Sequence, residues 1–256
     1  MVRCYTTAVR LSNAFHAVLD FCFPGVCAAC KTGCDGRVPL CIDCLAQLNA
    51  MTSAPACRLC AAPLAMAGSP CPYCRQRGIK PFQRVVAIGR FEAPLREMVH
   101  AIKYHRDWPL AEYLARYLLE QERVKELLTA ADVLVPVPLY PLRQLSRGYN
   151  QAHVIAKRLK KLCGLNLAEA VIRVRDTETQ THFHSRARRI KNMKGAFALR
   201  SAKHIRGKHV ILVDDVMTSG ATLRAVVRAL KEGEPASVSA LVLAVADPKG
   251  RSFERV

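Results

Sequence analysis

Eight of the twelve cysteines in this 256-residue chain fall into two blocks of identical spacing, and no other feature constrains the first third of the fold as tightly. Cys27-x-x-Cys30, ten residues and Cys41-x-x-Cys44 are followed by Cys57-x-x-Cys60, ten residues and Cys71-x-x-Cys74, so the second block repeats the first thirty positions later. A C-x-x-C turn aims two thiolates at one point, and two such turns complete a closed tetrahedral site that suits structural zinc and leaves no open position for chemistry. Two zinc ions are therefore expected, with Cys27, Cys30, Cys41, Cys44, Cys57, Cys60, Cys71 and Cys74 as ligands. The spacing admits two pairings. Sequential blocks give two tandem zinc ribbons, whereas a crossed arrangement joins the first turn to the third and the second to the fourth; sequential closure makes the shorter loops. Cysteines arranged this way point to metal in a reducing compartment rather than to disulfides. Of the other four, only Cys34 lies close enough to a block to compete as a ligand.

The second informative stretch is Val210 to Thr222, reading Val-Ile-Leu-Val-Asp-Asp-Val-Met-Thr-Ser-Gly-Ala-Thr. The branched apolar run Val210 to Val213 suits a buried parallel strand, Thr218 to Thr222 a small-residue turn, and Leu223 to Lys231 a helix. The backbone N–H groups of Ser219, Gly220, Ala221 and Thr222 can converge on one anion at the helix N-terminus, with the hydroxyls of Thr218, Ser219 and Thr222 as extra donors. Gly220 lets the backbone approach closely. A simple helix cap needs one hydroxyl and neither the two consecutive acids nor the further hydroxyls. A nucleotide hydrolase needs a G-x-x-x-x-G-K-[ST] loop, which does not occur. What remains is a ribose-phosphate site whose acids face sugar hydroxyls.

These thirteen residues resemble the signature of type I phosphoribosyltransferases, which bind phosphoribosyl pyrophosphate (PRPP) with magnesium. The resemblance implies that Asp214 and Asp215 address the ribose 2- and 3-hydroxyls and that the loop from Thr218 to Thr222 holds the 5-phosphate, with Val213 also among the PRPP-binding positions. Loss of pyrophosphate leaves an oxocarbenium-like ribosyl cation, which nearby carboxylates stabilise without being consumed, so Asp214 and Asp215 are also the expected catalytic residues. Two basic stretches, Arg143 to Gln151 and Arg173 to Arg189, are similar to segments of the ComF competence-protein family, which likewise places cysteine zinc ribbons before the transferase fold. That resemblance covers nearly the whole chain. It implies PRPP-binding roles for Arg143 and Arg147, a lid closing over pyrophosphate from Arg173 to Arg189, and a part in DNA uptake during natural transformation or in DNA utilization, beside proteins of the uptake machinery.

With 51% hydrophobic residues the chain can bury a substantial core, and its apolar runs are too short to span a bilayer. A cytoplasmic location is expected. Residues 1–78, with an amphipathic helix over Ala14 to Val26 and the double zinc ribbon, are expected as one domain, and residues 79–256 as the phosphoribosyltransferase domain, divided in the basic, turn-prone stretch Arg75 to Pro81. Strands are expected at Val85 to Phe91, Val133 to Val137, Val210 to Val213 and Val238 to Val245, with helices at Leu95 to Lys103, Leu110 to Leu128 and Gln151 to Leu162. Strands alternating with helices predict an α/β fold with a doubly wound, mainly parallel sheet.

The formal net charge of +19 adds an independent constraint. Arg143 to Lys161 holds six basic residues and no acid, a density suited to a polyanion, either PRPP or a nucleic-acid backbone. Single-stranded DNA is accordingly a candidate partner, and Tyr104, Trp108, Tyr149 and Phe183 are the aromatics among the basic residues that could stack on its bases. Two alternatives stand beside the ComF reading. One is a salvage or amidophosphoribosyl-type transferase; the other is a non-catalytic single-stranded DNA-binding module.

Overall fold

The computed structural model describes residues 25–34, 38–177 and 193–246. The helix expected over Ala14 to Val26 lies outside them except at its end, where Gly25–Val26 forms a strand instead; Phe183 and most of the Arg173 to Arg189 stretch also lie outside. In chain order the elements are β1 (Gly25–Val26), β2 (Gly33–Cys34), α1 (Ile42–Ser53), β3 (Val85–Arg90), α2 (Leu95–Tyr104), α3 (Trp108–Glu120), α4 (Glu122–Thr129), β4 (Val133–Pro136), α5 (Pro141–Arg147), α6 (Gln151–Cys163), β5 (Asn166–Leu167), β6 (Val171–Arg173), β7 (Phe197–Leu199), β8 (His209–Met217), α7 (Ala221–Lys231) and β9 (Ser237–Val245).

Five strands form one parallel sheet in the order β3-β9-β8-β4-β5. Residues alternate across it, as the period of two along a strand requires. Val85, Ala87, Val133, Val135, Val210, Leu212, Ala240 and Val242 enter a core shared with α7, the antiparallel β6–β7 pair and the second cysteine block. Val86, Ile88, Leu134, Ile211, Val213, Leu241 and Leu243 face the opposite core, built with α1, α2, α3, α6 and the first cysteine block. Strands buried on both faces explain why Val210–Val213 is continuously apolar rather than alternating. Each cysteine block thus joins the core on one face of the sheet, and Leu59 of the second block accepts a hydrogen bond from the Val85 N–H at 3.0 Å on the edge strand β3.

Two elements depart from the sequence pattern. The helix expected over Leu110 to Leu128 breaks at Gln121, which is extended (φ −84°, ψ 123°) and divides it into α3 and α4. The break lets Arg123 donate to the carbonyls of Thr52 and Ile88 at 2.8 and 2.6 Å, tying α1 and β3 to α4, a long-range reason that leaves no local mark in the sequence. The motif strand does not stop at Val213 but continues as β8 through both aspartates to Met217.

Candidate functional site

The strand order reverses between β4 and β8: the chain winds outward from β4 to β5 and, on the other side, from β8 to β9. Open parallel sheets bind ligands in the crevice at the carboxyl ends of the strands flanking such a reversal. Here proline sets where the crevice opens. β4 ends at Pro136, paired with Val213, and after one further hydrogen bond from the Val137 N–H to the Val213 carbonyl at 2.9 Å the chain turns away at Pro138. β8 runs on, held by β9 alone through Asp214↔Val242, Val216↔Ala244 and Met217↔Val245. Its final turn of sequence therefore lines an open edge, and that segment is the one carrying the two acids.

Successive strand residues diverge, and the two carboxylates meet different cations. Asp215 is ion-paired with Lys103 of α2, Oδ1 to Nζ 2.9 Å, with both side chains largely buried. Asp214 is half-buried and accepts the Asp215 N–H at 2.8 Å. Loss of hydration, with Asp215 alongside, pushes its carboxyl up to about 7, against the pull of Lys103 and Arg173. Arg173 lies over the Phe197 ring at 5.5 Å and donates to the Thr177 hydroxyl. Burial, then the neighbouring Arg143, brings its guanidinium down to about 10.

The loop after β8 leads directly into α7. Gly220 caps α7 in the left-handed region at φ +66°, a conformation that side chains disfavour. The buried Ser219 hydroxyl accepts the Ala221 N–H at 3.4 Å, and Arg224, one turn into α7, donates to the Ser219 carbonyl. Helix α5 presents Arg143, paired with Asp176 at 3.2 Å and bonded to the Thr177 carbonyl, and Arg147, stacked over the Tyr104 ring at 5.7 Å. With Lys103 and Arg106 these two arginines line a cavity of about 340 Å³. Gly148, at φ +83°, ends α5 and turns the chain into α6.

The cysteine blocks close sequentially. Cys27, Cys30, Cys41 and Cys44 form one tetrad and Cys57, Cys60, Cys71 and Cys74 the other, with all sulfurs of a tetrad within 4.8 Å of one another. Cys30 and Cys41 stand 3.6 Å apart, sulfur to sulfur, and Cys57 and Cys74, like Cys60 and Cys71, 3.7 Å. A tetrahedron with zinc–sulfur bonds of about 2.3 Å requires sulfurs about 3.8 Å apart, so both tetrads are compatible with structural zinc. The duplication extends to the backbone. Cys27 N–H bonds the Thr32 carbonyl and Cys57 N–H the Ala62 carbonyl, both at 2.8 Å, and the strand pair Val26↔Gly33 recurs as Ala56↔Pro63. Burial pushes the Cys60 thiol of the second tetrad up, while in the first the Thr32 hydroxyl brings Cys30 down to about 6. Cys34 stands outside the tetrads, its thiol turned to the Val38 carbonyl at 3.8 Å.

Comparison with known proteins agrees with this architecture. A family model described as a phosphoribosyl transferase domain matches residues 119–255. The DNA utilization protein YhgH of Salmonella typhimurium is 33% identical over 218 residues, 84% of this chain and 87% of that protein. Competence protein F of Haemophilus influenzae is 32% identical over 198 residues, 75% of this chain and 84% of that one. This chain belongs to the ComF family. Among solved structures, the Bacillus subtilis glutamine PRPP amidotransferase superposes with a TM-score of 0.35 at 22% identity over 52% of this chain and 25% of that one, too distant a likeness to add to the sequence relatives.

Within this ComF-family chain Asp214 and Asp215 lie near the end of β8 with the Thr218 to Thr222 loop directly after it, Lys103 links Asp215 to the cavity lined by Arg143 and Arg147, and the eight metal-ligand candidates stand apart in the two tetrads. Two further residues, Lys103 beside Asp215 and Arg224 beside the loop, are not marked by the sequence motifs, and Arg173 is marked only as the first residue of the expected lid. Arg224 was within reach, since it follows the loop by one helical turn. Lys103 was not, because nothing local to the motif points to a lysine at the end of α2.

Asp214 makes a pH prediction. Its carboxyl is raised from the usual carboxylate range to about 7, so the folded state holds a proton that the unfolded chain releases. The associated stability is complete below the unfolded value, about 4, and is lost as the pH climbs through 7. Asp214→Asn cannot ionise, so its thermal midpoint should gain on the unsubstituted protein between about pH 4 and pH 7 and hold a constant lead above that. Calorimetric scans in which the two midpoints keep a constant gap between about pH 4 and pH 7 would contradict the assignment.

Proposed function

We propose that this ComF-family protein binds PRPP with magnesium at the carboxyl end of β8 and releases pyrophosphate from it. The observation that supports this most is the direct succession, along one open strand end, of the Asp214–Asp215 pair and the glycine-capped loop Thr218 to Thr222. In this reading the loop N–H groups and hydroxyls hold the 5-phosphate and the two carboxylates address the ribose hydroxyls. As the ribose C1–oxygen bond breaks, its electron pair leaves with pyrophosphate and positive charge grows on the sugar close to Asp214 and Asp215, until the lone pair of an acceptor nucleophile forms the new bond to C1. Arg143, Arg147, Lys103 and Arg173 supply the opposite field for the leaving group. Magnesium would neutralise part of the pyrophosphate charge; acidic oxygens for such a cation are present in Asp214 and Asp215. The lid reading of residues 173–189 falls mostly on residues outside those described.

The two tetrads would each hold one structural zinc, and residues 1–78 would form a supporting module rather than a catalytic one. The relatives' names speak of DNA utilization and competence, and we carry that context to this chain as a cytoplasmic role in handling DNA during uptake or its use. Among the described residues no helix is long and apolar enough to cross a membrane.

Gly220→Val tests the cradle. A Cβ at this position would lie 3.3 Å from the Arg224 guanidinium, and the left-handed φ of +66° is itself strained for a branched residue. PRPP binding is expected to fall at least about tenfold while α7 and the zinc content persist. Calorimetry showing undiminished affinity would refute the phosphate assignment. The reaction is tested by incubating the protein with labelled PRPP, magnesium and a panel of bases, nucleotides and single-stranded DNA, and following pyrophosphate release.

A further inference from the structure

The two cysteine tetrads repeat each other in spacing and in sulfur geometry, yet their surroundings differ. Cys30 and Cys41 of the first correspond, thirty positions on, to Cys60 and Cys71 of the second, and the sulfurs of the two pairs stand 3.6 and 3.7 Å apart. Cys60 and Cys71 are 0% and 2% exposed, whereas Cys30 is exposed and Cys41 half-buried. The turns that follow each first pair cause the difference. After Cys60 the chain reads Ala61-Ala62-Pro63-Leu64, and Ala62 enters the same core as all four cysteines of its tetrad. After Cys30 it reads Lys31-Thr32-Gly33, and all three residues are exposed. Nothing in that turn gains by burial, so it stays in water and leaves the Cys30 sulfur there with it. Only Cys27 and Cys44 of the first tetrad are buried, in the core on the other face of the sheet.

We propose that Cys30 is a site of oxidative modification, at which a peroxide joins Cys30 to Cys41 as a disulfide and releases the zinc of the first tetrad alone. The inference rests on the reading that each tetrad holds one zinc. The Cys30 thiolate attacks the peroxide: a sulfur–oxygen bond forms, the oxygen–oxygen bond breaks and hydroxide leaves, so that the sulfur is oxidised by two electrons to a sulfenic acid. The Cys41 thiolate, 3.6 Å away, then attacks that sulfur; the disulfide closes as the sulfur–oxygen bond breaks and a second hydroxide leaves. Zinc is left with Cys27 and Cys44, half of its ligands, and departs. The Cys60–Cys71 pair has the geometry for the same reaction but is closed to the oxidant, because thiol oxidation follows exposure. The second zinc therefore stays, and with it the core beneath β3 and β9. A small thiol reductant would reverse the step by attacking the disulfide, which lets the site reset.

The reduced full-length protein is treated with hydrogen peroxide in the presence of a chromogenic zinc chelator, beside a sample with chelator and no peroxide, and quenched portions are mapped by peptide mass spectrometry. One zinc per chain should appear at least about tenfold faster than the second, only with peroxide, and in step with a Cys30–Cys41 linkage. Dithiothreitol with added zinc should restore the full count. Cys30→His keeps a zinc ligand while removing the exposed thiol, and should slow the early release to the rate of the second zinc; Cys60→His should leave the early release unchanged. The peptide mapping is made on the unsubstituted protein and needs no variant to fold. Equal release of the two zinc ions, release that ignores peroxide, or a first linkage between any other two cysteines would overturn the proposal. If elemental analysis finds no zinc in the reduced protein while peroxide still joins Cys30 to Cys41 ahead of Cys60 to Cys71, the metal reading fails and the reactive pair stands.

Discussion

Replacing Cys57 and Cys60 with serine is expected to remove one zinc per chain and to lower the thermal midpoint of the whole protein by about 10 °C or more. A structural zinc contributes on the order of 10 kcal/mol to the folding of its own module, and a loss of about 5 kcal/mol moves the midpoint of a chain this size by roughly 10–20 °C. The loss is not confined to the cysteine-rich segment. Cys57, Cys60, Cys71 and Cys74 are buried in the same core as Val85, Ala87, Ala240 and Val242, and the Leu59 carbonyl satisfies the Val85 N–H on the sheet edge. Removing the second zinc therefore uncovers one face of β3 and β9. Elemental analysis should fall from two zinc per chain to one. A midpoint within about 2 °C of the unsubstituted protein, with the zinc count still at two, would show that these thiols hold no metal.

The second large effect concerns the acids. Asp214→Asn combined with Asp215→Asn keeps side-chain size and removes both carboxylates from the place where positive charge grows on the ribose. Losing one preorganised electrostatic partner commonly costs about a hundredfold to a thousandfold in rate, so pyrophosphate release should fall by at least about a thousandfold in the double variant. Folding should survive, because Asp214 is already poorly hydrated and gains from losing its charge at neutral pH. Lys103 would then lack its ion-pair partner at 2.9 Å, and adding Lys103→Met should restore any stability lost without restoring release. Release at the original rate would remove both aspartates from the chemistry.

How much of this was legible in the sequence depended on the range of the forces involved. The cysteine tetrads were legible because a C-x-x-C turn is a local device, and its exact repetition thirty positions later left only the pairing open; the short ten-residue spacers close each block on itself. The strand from Val210 and the glycine-capped loop were equally local, since β-branched runs and a left-handed Gly220 carry their own signals. The end of that strand was misplaced because Asp214 and Asp215 look like loop residues, and only pairing with β9 keeps them extended. The break at Gln121 was invisible for a similar reason, being fixed by the reach of Arg123 to Thr52 and Ile88. Helix α5 gave no periodic signal because none of its residues is buried: Leu142 and Leu145 are exposed, and what defines it is Pro141 at its first turn and Gly148 at its end. Lys103 and Arg173 reach the crevice only through the packing of α2 and the β6–β7 pair, so no reading of the motif alone could name them.

The central claim is that the crevice at the end of β8 is a PRPP site. Titrating the full-length protein with PRPP in a calorimeter, with and without magnesium, tests it most directly. The account predicts one PRPP bound per chain, tighter with magnesium, competed by pyrophosphate and lost in Gly220→Val. No binding in the presence of magnesium, or binding that Gly220→Val leaves untouched, would contradict it.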